Sequence, residues 1–317
     1  MSQDVINCPG CRRRTPAARG ACLYCGETLP ITMIEAAPPQ RNIDTFEPAF
    51  NTILEPSEPR IIDSAASALA AALKIDISDA LAYIESGKPL PVARSQKRQE
   101  AEMIALLVRS CGLPASVVAD RELELEREMA RARRIGVSEQ ELEVHHPGGV
   151  MRIPRLEVRL MVLGALSNSR VDYTEGLAGM RGQTTSVIDT AEYRSEEVLL
   201  DLYGSSLNRS FRIKADAFDY SGLVSPLSFR AEVNFKAALE SLSELCPQSR
   251  LDDDFARVRS LLARAWPERT RNEARGIKRT GISYRPVARA SVVSDNRDQF
   301  DRYSRLMFIS VAGASRD

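Results

Sequence analysis

The chain has 317 residues, with 43 Lys and Arg against 43 Asp and Glu. That length has room for two or three domains, and the zero net charge excludes a global electrostatic pull toward nucleic acid. Aromatic residues make up only 6%, which argues against an extensive base-stacking surface. The start, Met1-Ser2-Gln3-Asp4, lacks a charged n-region followed by an apolar h-region, so no signal peptide is expected. The longest apolar run, 160–166, is too short to span a bilayer. These features lead us to expect a cytoplasmic protein with reduced cysteines and no membrane partner.

The N-terminus carries the clearest chemistry. Cys8-Pro9-Gly10-Cys11 and Cys22-Leu23-Tyr24-Cys25-Gly26 are two Cys-x-x-Cys pairs about ten residues apart. Within a pair, two intervening residues let both sulfurs face one ion at about 2.3 Å. Two matched pairs suit a tetrahedral metal better than a redox disulfide. Four ligands also close the shell, which points to a structural and not a catalytic ion. Gly10 and Gly26 are expected at the turns, and Arg12-Arg13-Arg14 offsets the charge of about −2 on a four-thiolate zinc. The arrangement resembles the zinc ribbon family, with Cys8, Cys11, Cys22 and Cys25 matching its four ligands. The resemblance implies bound zinc, with iron the main rival, over a domain of residues 1–30. So short a segment has little core, so the metal would supply most of its folding energy. Cys111 and Cys246 sit in apolar helical contexts and read as inert buried thiols.

Residues 31–60 read as a proline-rich linker, since Pro38, Pro39, Pro48, Pro56 and Pro59 break any long helix or central strand. Within it Phe46, Phe50, Ile53 and Leu54 fall at i, i+4, i+7 and i+8, which is helical spacing. They form either a segment lying on its own domain or a docking peptide for a partner groove.

A compact module is expected over 61–123. One helix covers 65–73. Asp76 and Ser78 can cap a second through Ala80, Leu81 and Ile84, stopped at Gly87. Residues 89–93 are extended, a third helix places Ala101, Ile104, Ala105 and Val108 on one face, Gly112 ends it, and 115–118 reads as a strand. Ile77-Ser78-Asp79-Ala80-Leu81-Ala82-Tyr83-Ile84-Glu85, and Gln99-Glu100-Ala101-Glu102 through Gly112-Leu113-Pro114-Ala115-Ser116-Val117, resemble the second helix, third helix and last strand of the ribosomal stalk protein C-terminal domain and the related Clp adaptor fold. The resemblance implies a small α/β adaptor-like module. The lysines of the stalk family's second helix are missing, so its factor-binding role does not carry over, and no residue matches the adaptor's peptide pocket.

Residues 124–149 read as a connector. Glu124 with Arg127 and Glu128 with Arg131 are i, i+3 pairs of a solvated helix ending near Gly136, and His145-His146-Pro147-Gly148-Gly149 follows as a loop. From 150 the pattern turns to period two. Leu156, Val158, Leu160 and Val162 alternate with Glu157, Arg159 and Met161, and 187–193, 198–203 and 211–218 are further strands. Helices return after Ser225-Pro226, after Asp252-Asp253-Asp254 and around Phe300, Tyr303 and Met307. Strands followed by helices indicate an α+β domain over 150–317 with an antiparallel sheet. The whole chain is therefore expected to be multi-domain α+β.

Enzyme signatures are missing. There is no Gly-x-Ser-x-Gly and no His-Glu-x-x-His. Gly87-Lys88 lacks the upstream glycine of a phosphate loop, and Gly176, Gly179 and Gly182 have the wrong spacing for a dinucleotide turn. Asp201 with Lys214 lacks a nuclease's acid two residues before the lysine, because position 212 is Arg. Asp252-Asp253-Asp254 either holds magnesium or, the blander reading, serves the positive end of its helix. The leading expectation is a non-enzymatic, intracellular modular protein that binds an unidentified protein partner, with a regulatory role. The alternative is binding of RNA or another single strand by the basic stretch 257–289. There Trp266 would stack a base, and Arg271, Arg275 and Arg279 would meet phosphates; the same stretch also reads as a solvated helix face, with Trp266 in a core. A third reading is an enzyme built on Glu192, Asp201 and Asp219.

Overall fold

In a computed structural model, the described residues are 5–16, 22, 24–27, 43, 47–58, 62–178, 184–279 and 286–314. Among them are six α-helices and fifteen strands, an α+β chain. It divides into two compact units. The first comprises residues 1–126, 257–267 and 305–317; the second comprises 127–256 and 268–304. No helix among the described residues is long and apolar enough to cross a membrane.

The first unit begins with a small hairpin of β1 (Val5–Asn7) and β2 (Arg14–Pro16). Its main body runs β3 (Phe50–Leu54), α1 (Ile62–Leu73), α2 (Ile77–Glu85), β4 (Leu90–Ser95), α3 (Arg98–Ser110) and β5 (Ala115–Ala119). The expected order of helix, helix, extended segment, helix and strand is present over 62–119. Gly87 (φ +60°) and Gly112 (φ +79°) supply the left-handed turns that follow α2 and α3. The apolar stripe of α3 buries Ala101, Ile104, Ala105 and Val108 as expected.

The linker reading fails at β3. Phe50–Leu54 is the central strand of an antiparallel sheet ordered β4-β3-β5. Ile53 and Leu54 are buried, so they belong to the core and are not free for a partner, and Phe50 lies on the same strand. Phe46 falls outside the described residues. Five apolar and polar residues in a row misled the helical reading because both faces of β3 are covered. Thr52 Oγ1 donates to Ala101 O at 3.0 Å, fastening α3 to the sheet. The approach to β3 is pinned as well. Buried Arg94 donates to Ile43 O (3.1 Å) and Glu47 O (2.6 Å) and pairs with Asp120 at 2.6 Å. Pro48 precedes the strand and costs no ladder bond.

Residues 257–267 also belong to this unit, and their basic residues are used internally. The segment includes most of α5 (Phe255–Leu262). Arg264 Nη2 donates to Leu73 O (2.9 Å) at the end of α1, and Arg257 Nη2 donates to Ser86 O (3.2 Å) just after α2. Guanidinium groups thus meet the carbonyl ends of two helices, where the macrodipole favours cations. Tyr83 Oη donates to Leu261 O at 2.6 Å.

The second unit holds a mixed seven-stranded sheet and a three-stranded one. Its strands are β6 (Ala130–Ala132), β7 (Arg134–Val137), β8 (Glu141–His146), β9 (Gly149–Pro154), β10 (Leu160–Ala178), β11 (Thr184–Tyr203), β12 (Phe211–Lys214), β13 (Arg250–Asp252), β14 (Arg269–Arg279) and β15 (Pro286–Asp295). The large sheet runs β14-β15-β10-β11-β12-β6, with β13 parallel on the start of β10. The small one is β7-β8-β9. The helices are α4 (Ala231–Leu245) and α6 (Arg297–Ala314), the latter passing into the first unit's residues at 305. The core joins Leu142, Val144, Ile153, Met161, Leu200, Leu202, Phe211, Phe235 and Leu242.

Several local expectations are corrected. The alternating Glu and Arg of 121–134 form no helix. A 3₁₀ turn over Asp120–Leu123 and then β6 and β7 replace it, because Ala132 and Ile135 are drawn into the core. His145 and His146 end β8 and enter its hairpin with β9. The helix expected at Ser225-Pro226 starts at Ala231. The strand expected over 211–218 stops at Lys214 and turns into a 3₁₀ segment. The basic stretch after Trp266 is no helix face. It is the edge strand β14 of a hairpin with β15.

Candidate metal centre

Each Cys-x-x-Cys pair folds on the same scaffold. Cys8 N donates to Arg13 O (3.0 Å) and Arg12 N to Cys8 O (2.8 Å); Cys22 N donates to Glu27 O (2.8 Å) and Gly26 N to Cys22 O (3.0 Å). The two turns are therefore copies of one another, six residues closed by two backbone bonds. In each, the residue four places after the first cysteine is left-handed: Arg12 (φ +59°) and Gly26 (φ +74°). Gly26 plays the expected role, and its counterpart is Arg12, not Gly10. At Gly10 a Cβ would lie 3.2 Å from the Glu27 side chain, a tight approach that a shift of this exposed side chain would relieve. The sequence held this signal: aligning the two pairs places Arg12 over Gly26.

The four sulfurs lie within 4.8 Å of one another. Cys8 Sγ to Cys25 Sγ and Cys11 Sγ to Cys22 Sγ are each 3.5 Å. A tetrahedron with metal–sulfur bonds of about 2.3 Å has edges of about 3.8 Å, so the cluster fits a single four-coordinate ion and could hold one. Cys8 and Cys22 are buried and Cys25 is exposed. Backbone amides point at the sulfurs: Tyr24 N to Cys22 Sγ at 3.4 Å and Cys11 N to Cys8 Sγ at 3.5 Å. The Tyr24 amide is the chief cause that holds the Cys22 thiol down at about 6, a donor that favours the thiolate. At Cys25 the Glu27 amide is outweighed by burial and the sulfurs of Cys8, Cys11 and Cys22, which push its thiol up to about 12, so the four thiols share their protons as one cluster. The Arg13 guanidinium lies 5.1 Å from the centre of the Tyr24 ring, a cation–π contact that ties one turn to the other.

Among the described residues, these cysteines are the one group of three or more His, Cys, Asp or Glu whose ligand atoms come this close together. The acids of the catalytic reading are each otherwise engaged. Asp201, fully buried, takes two bonds from Arg212 (Nε 2.6 Å, Nη2 2.8 Å) and one from Ser304 Oγ (2.6 Å). Arg212 also pairs with Asp301 at 2.7 Å. Glu192 pairs with exposed Arg194 at 2.7 Å, and Asp219 accepts from Ser221 N at 3.0 Å. Asp252 ends β13 and accepts from Tyr303 Oη at 2.6 Å, so the acidic triplet is split between a buried anchor and the start of α5.

Trp266 is a core residue. It is 1% exposed, and its Nε1 donates to Asn51 Oδ1 at 2.8 Å, so it offers no face to a base. Arg271, Arg275 and Arg279 all lie on β14, and Arg271 sits 3.9 Å from Asp295. Cys246 is fully buried, and burial pushes its thiol up to about 11. Burial also raises that of half-buried Cys111, in keeping with unreactive thiols. No protein-family model, no curated protein and no solved structure matches the chain.

Proposed function

We propose that the four cysteines hold one structural zinc in a ribbon like that of the zinc ribbon family, and that the chain is a non-enzymatic, intracellular modular protein acting through protein–protein contacts. The observation that carries this reading is the paired-turn scaffold, which converges four sulfurs on one point and uses up every tetrahedral position. A shell closed by thiolates leaves no site for a reacting water, so the ion's role is to hold the fold. The element order of 62–119 supports an adaptor-like module in the same unit. Arg212 occupies the carboxylate of Asp201, which weakens the enzyme reading.

A second reading keeps nucleic acid as the partner, because β14 carries five basic residues against one acidic. Capture from lysate, with and without nuclease, separates the two. A protein that stays bound after nuclease treatment, and is lost when Cys8→Ser and Cys25→Ser remove the metal, supports the interaction reading. Capture that disappears with nuclease transfers the function to nucleic acid.

A further inference from the structure

We infer that the chain assembles with copies of itself, β14 of one copy adding to β11 of the next as an antiparallel strand. The inference is independent of the metal centre. The far part of the large sheet is a four-stranded ribbon ordered β14-β15-β10-β11. Among the described residues it ends in two open edges, and β14 pairs with β15 alone. β11 pairs with β10 along its length, but meets β12 only at Leu199–Leu202. Among the described residues, the outer side of 184–198 therefore has no strand beside it. Glu197 is held by Lys214 at 2.9 Å and by Arg297, which leaves 184–196 as the open edge. That stretch is long enough to take all eleven residues of β14, about 35 Å of ladder.

The two edges carry opposite charge. β14 has Arg269, Arg271, Arg275, Lys278 and Arg279 against Glu273; Arg269 and Arg271 lie 3.8 and 3.9 Å from Asp298 and Asp295, so the excess charge rests on the sequence of 275–279. The open edge of β11 has Asp189, Glu192 and Glu196 against Arg194, and Arg194 is already bonded to Glu192. Edge charges ordinarily block pairing of a strand with its own copy. Here β14 against β14 would oppose basic rows, and β11 against β11 acidic ones. Only β14 against β11 brings opposite signs together.

Strand direction agrees. Three successive antiparallel pairings separate β14 from β11, so the two run in opposite senses. A copy laid alongside in the same orientation presents its β14 antiparallel to β11, continuing the sheet's alternation. Tyr193, 58% exposed on β11, would gain an apolar neighbour. Because the two surfaces differ, the contact is heterologous and propagates into a ring or an open chain, not a closed two-fold dimer.

Sedimentation velocity of the full-length protein tests this. At low salt the weight-average sedimentation coefficient should rise with concentration. It should fall back toward the monomer at about 1 M salt, where the screening length is about 3 Å. The basic-edge variant Arg275→Glu/Lys278→Glu/Arg279→Glu and the acidic-edge variant Asp189→Lys/Glu192→Lys/Glu196→Lys should each stay monomeric. Mixed in equal amounts they should associate again, since the first then has two acidic edges and the second two basic ones. Circular dichroism and melting like the wild type show that each is folded; if a triple variant is not, Lys278→Glu and Glu196→Lys replace it with a weaker but same-direction effect. A wild type that is monomeric throughout overturns the inference, as do variants that self-associate like the wild type, or a mixture that stays monomeric. A monomer that sediments faster only when single-stranded RNA is added overturns it too, and assigns β14 to nucleic acid.

Discussion

Replacing Arg212 by Ala should destabilise the second unit by about 3–5 kcal/mol, the usual cost of stripping one partner from a buried ion pair. The geometry supports the upper part of that range. Asp201 is fully buried and takes two of its three bonds from Arg212; the third comes from Ser304 Oγ. The same guanidinium pairs with Asp301 and lies 5.3 Å from the Phe300 ring centre, so its loss leaves two carboxylates without their cation. A domain is stable by only about 5–15 kcal/mol, so the variant should lose a fifth or more of that. Urea unfolding followed by circular dichroism measures it. Adding Asp201→Asn should recover part of the loss, with a coupling of about 1–3 kcal/mol between the two positions. The effect should also depend on pH. Burial raises the Asp301 carboxyl above its ordinary value, and Arg212 pulls it back. A raised folded-state pKa means that the folded form holds the proton more tightly, so this group's contribution is greatest at acid pH and is lost as pH rises through the raised value. Removing Arg212 raises it further, so the gap between variant and wild type should narrow as pH falls into the carboxylate range. A loss below about 1 kcal/mol with an unchanged denaturant slope would refute the argument and return Asp201 to the list of acids free for chemistry.

Serine at Cys8 and Cys25 should lower bound zinc from one per chain to near none by elemental analysis, and acidification should release it from the wild type, since the ligands must be thiolates. Trp266→Phe should cost about 1–3 kcal/mol by leaving Asn51 Oδ1 short of its buried donor, and wild-type fluorescence should be blue-shifted and unchanged by single-stranded RNA. A chain started at Ile61 should fail to fold because it lacks the central strand β3, so the stable fragment in limited proteolysis should retain residues 47–58. Gly164→Ala should destabilise by about 1–3 kcal/mol, since its Cβ would fall 2.3 Å from the Phe300 ring; thermal melting checks it.

The sequence alone determined what depends on short spacing. The convergence of the four cysteines was legible because two residues between cysteines set the reach of both sulfurs. The helices of 62–110 were legible because α3 buries a 3.6-period stripe and α2 and α3 stop at Gly87 and Gly112. Tertiary structure decided what depends on distant partners. Phe50–Leu54 contains Asn51 and Thr52, which look unsuited to a core, yet both are fully buried. They are tolerated because Trp266, 215 positions away, and Ala101 satisfy them. β14 could not be read at all. Period two shows in a sequence only where one face of a strand meets a core, and this edge strand pairs through backbone groups that every residue possesses. Asp201 looked like a candidate catalyst until Arg212 and Ser304 closed around it, since a carboxylate's chemistry is set by its neighbours and the chain order of those neighbours does not say that they will meet.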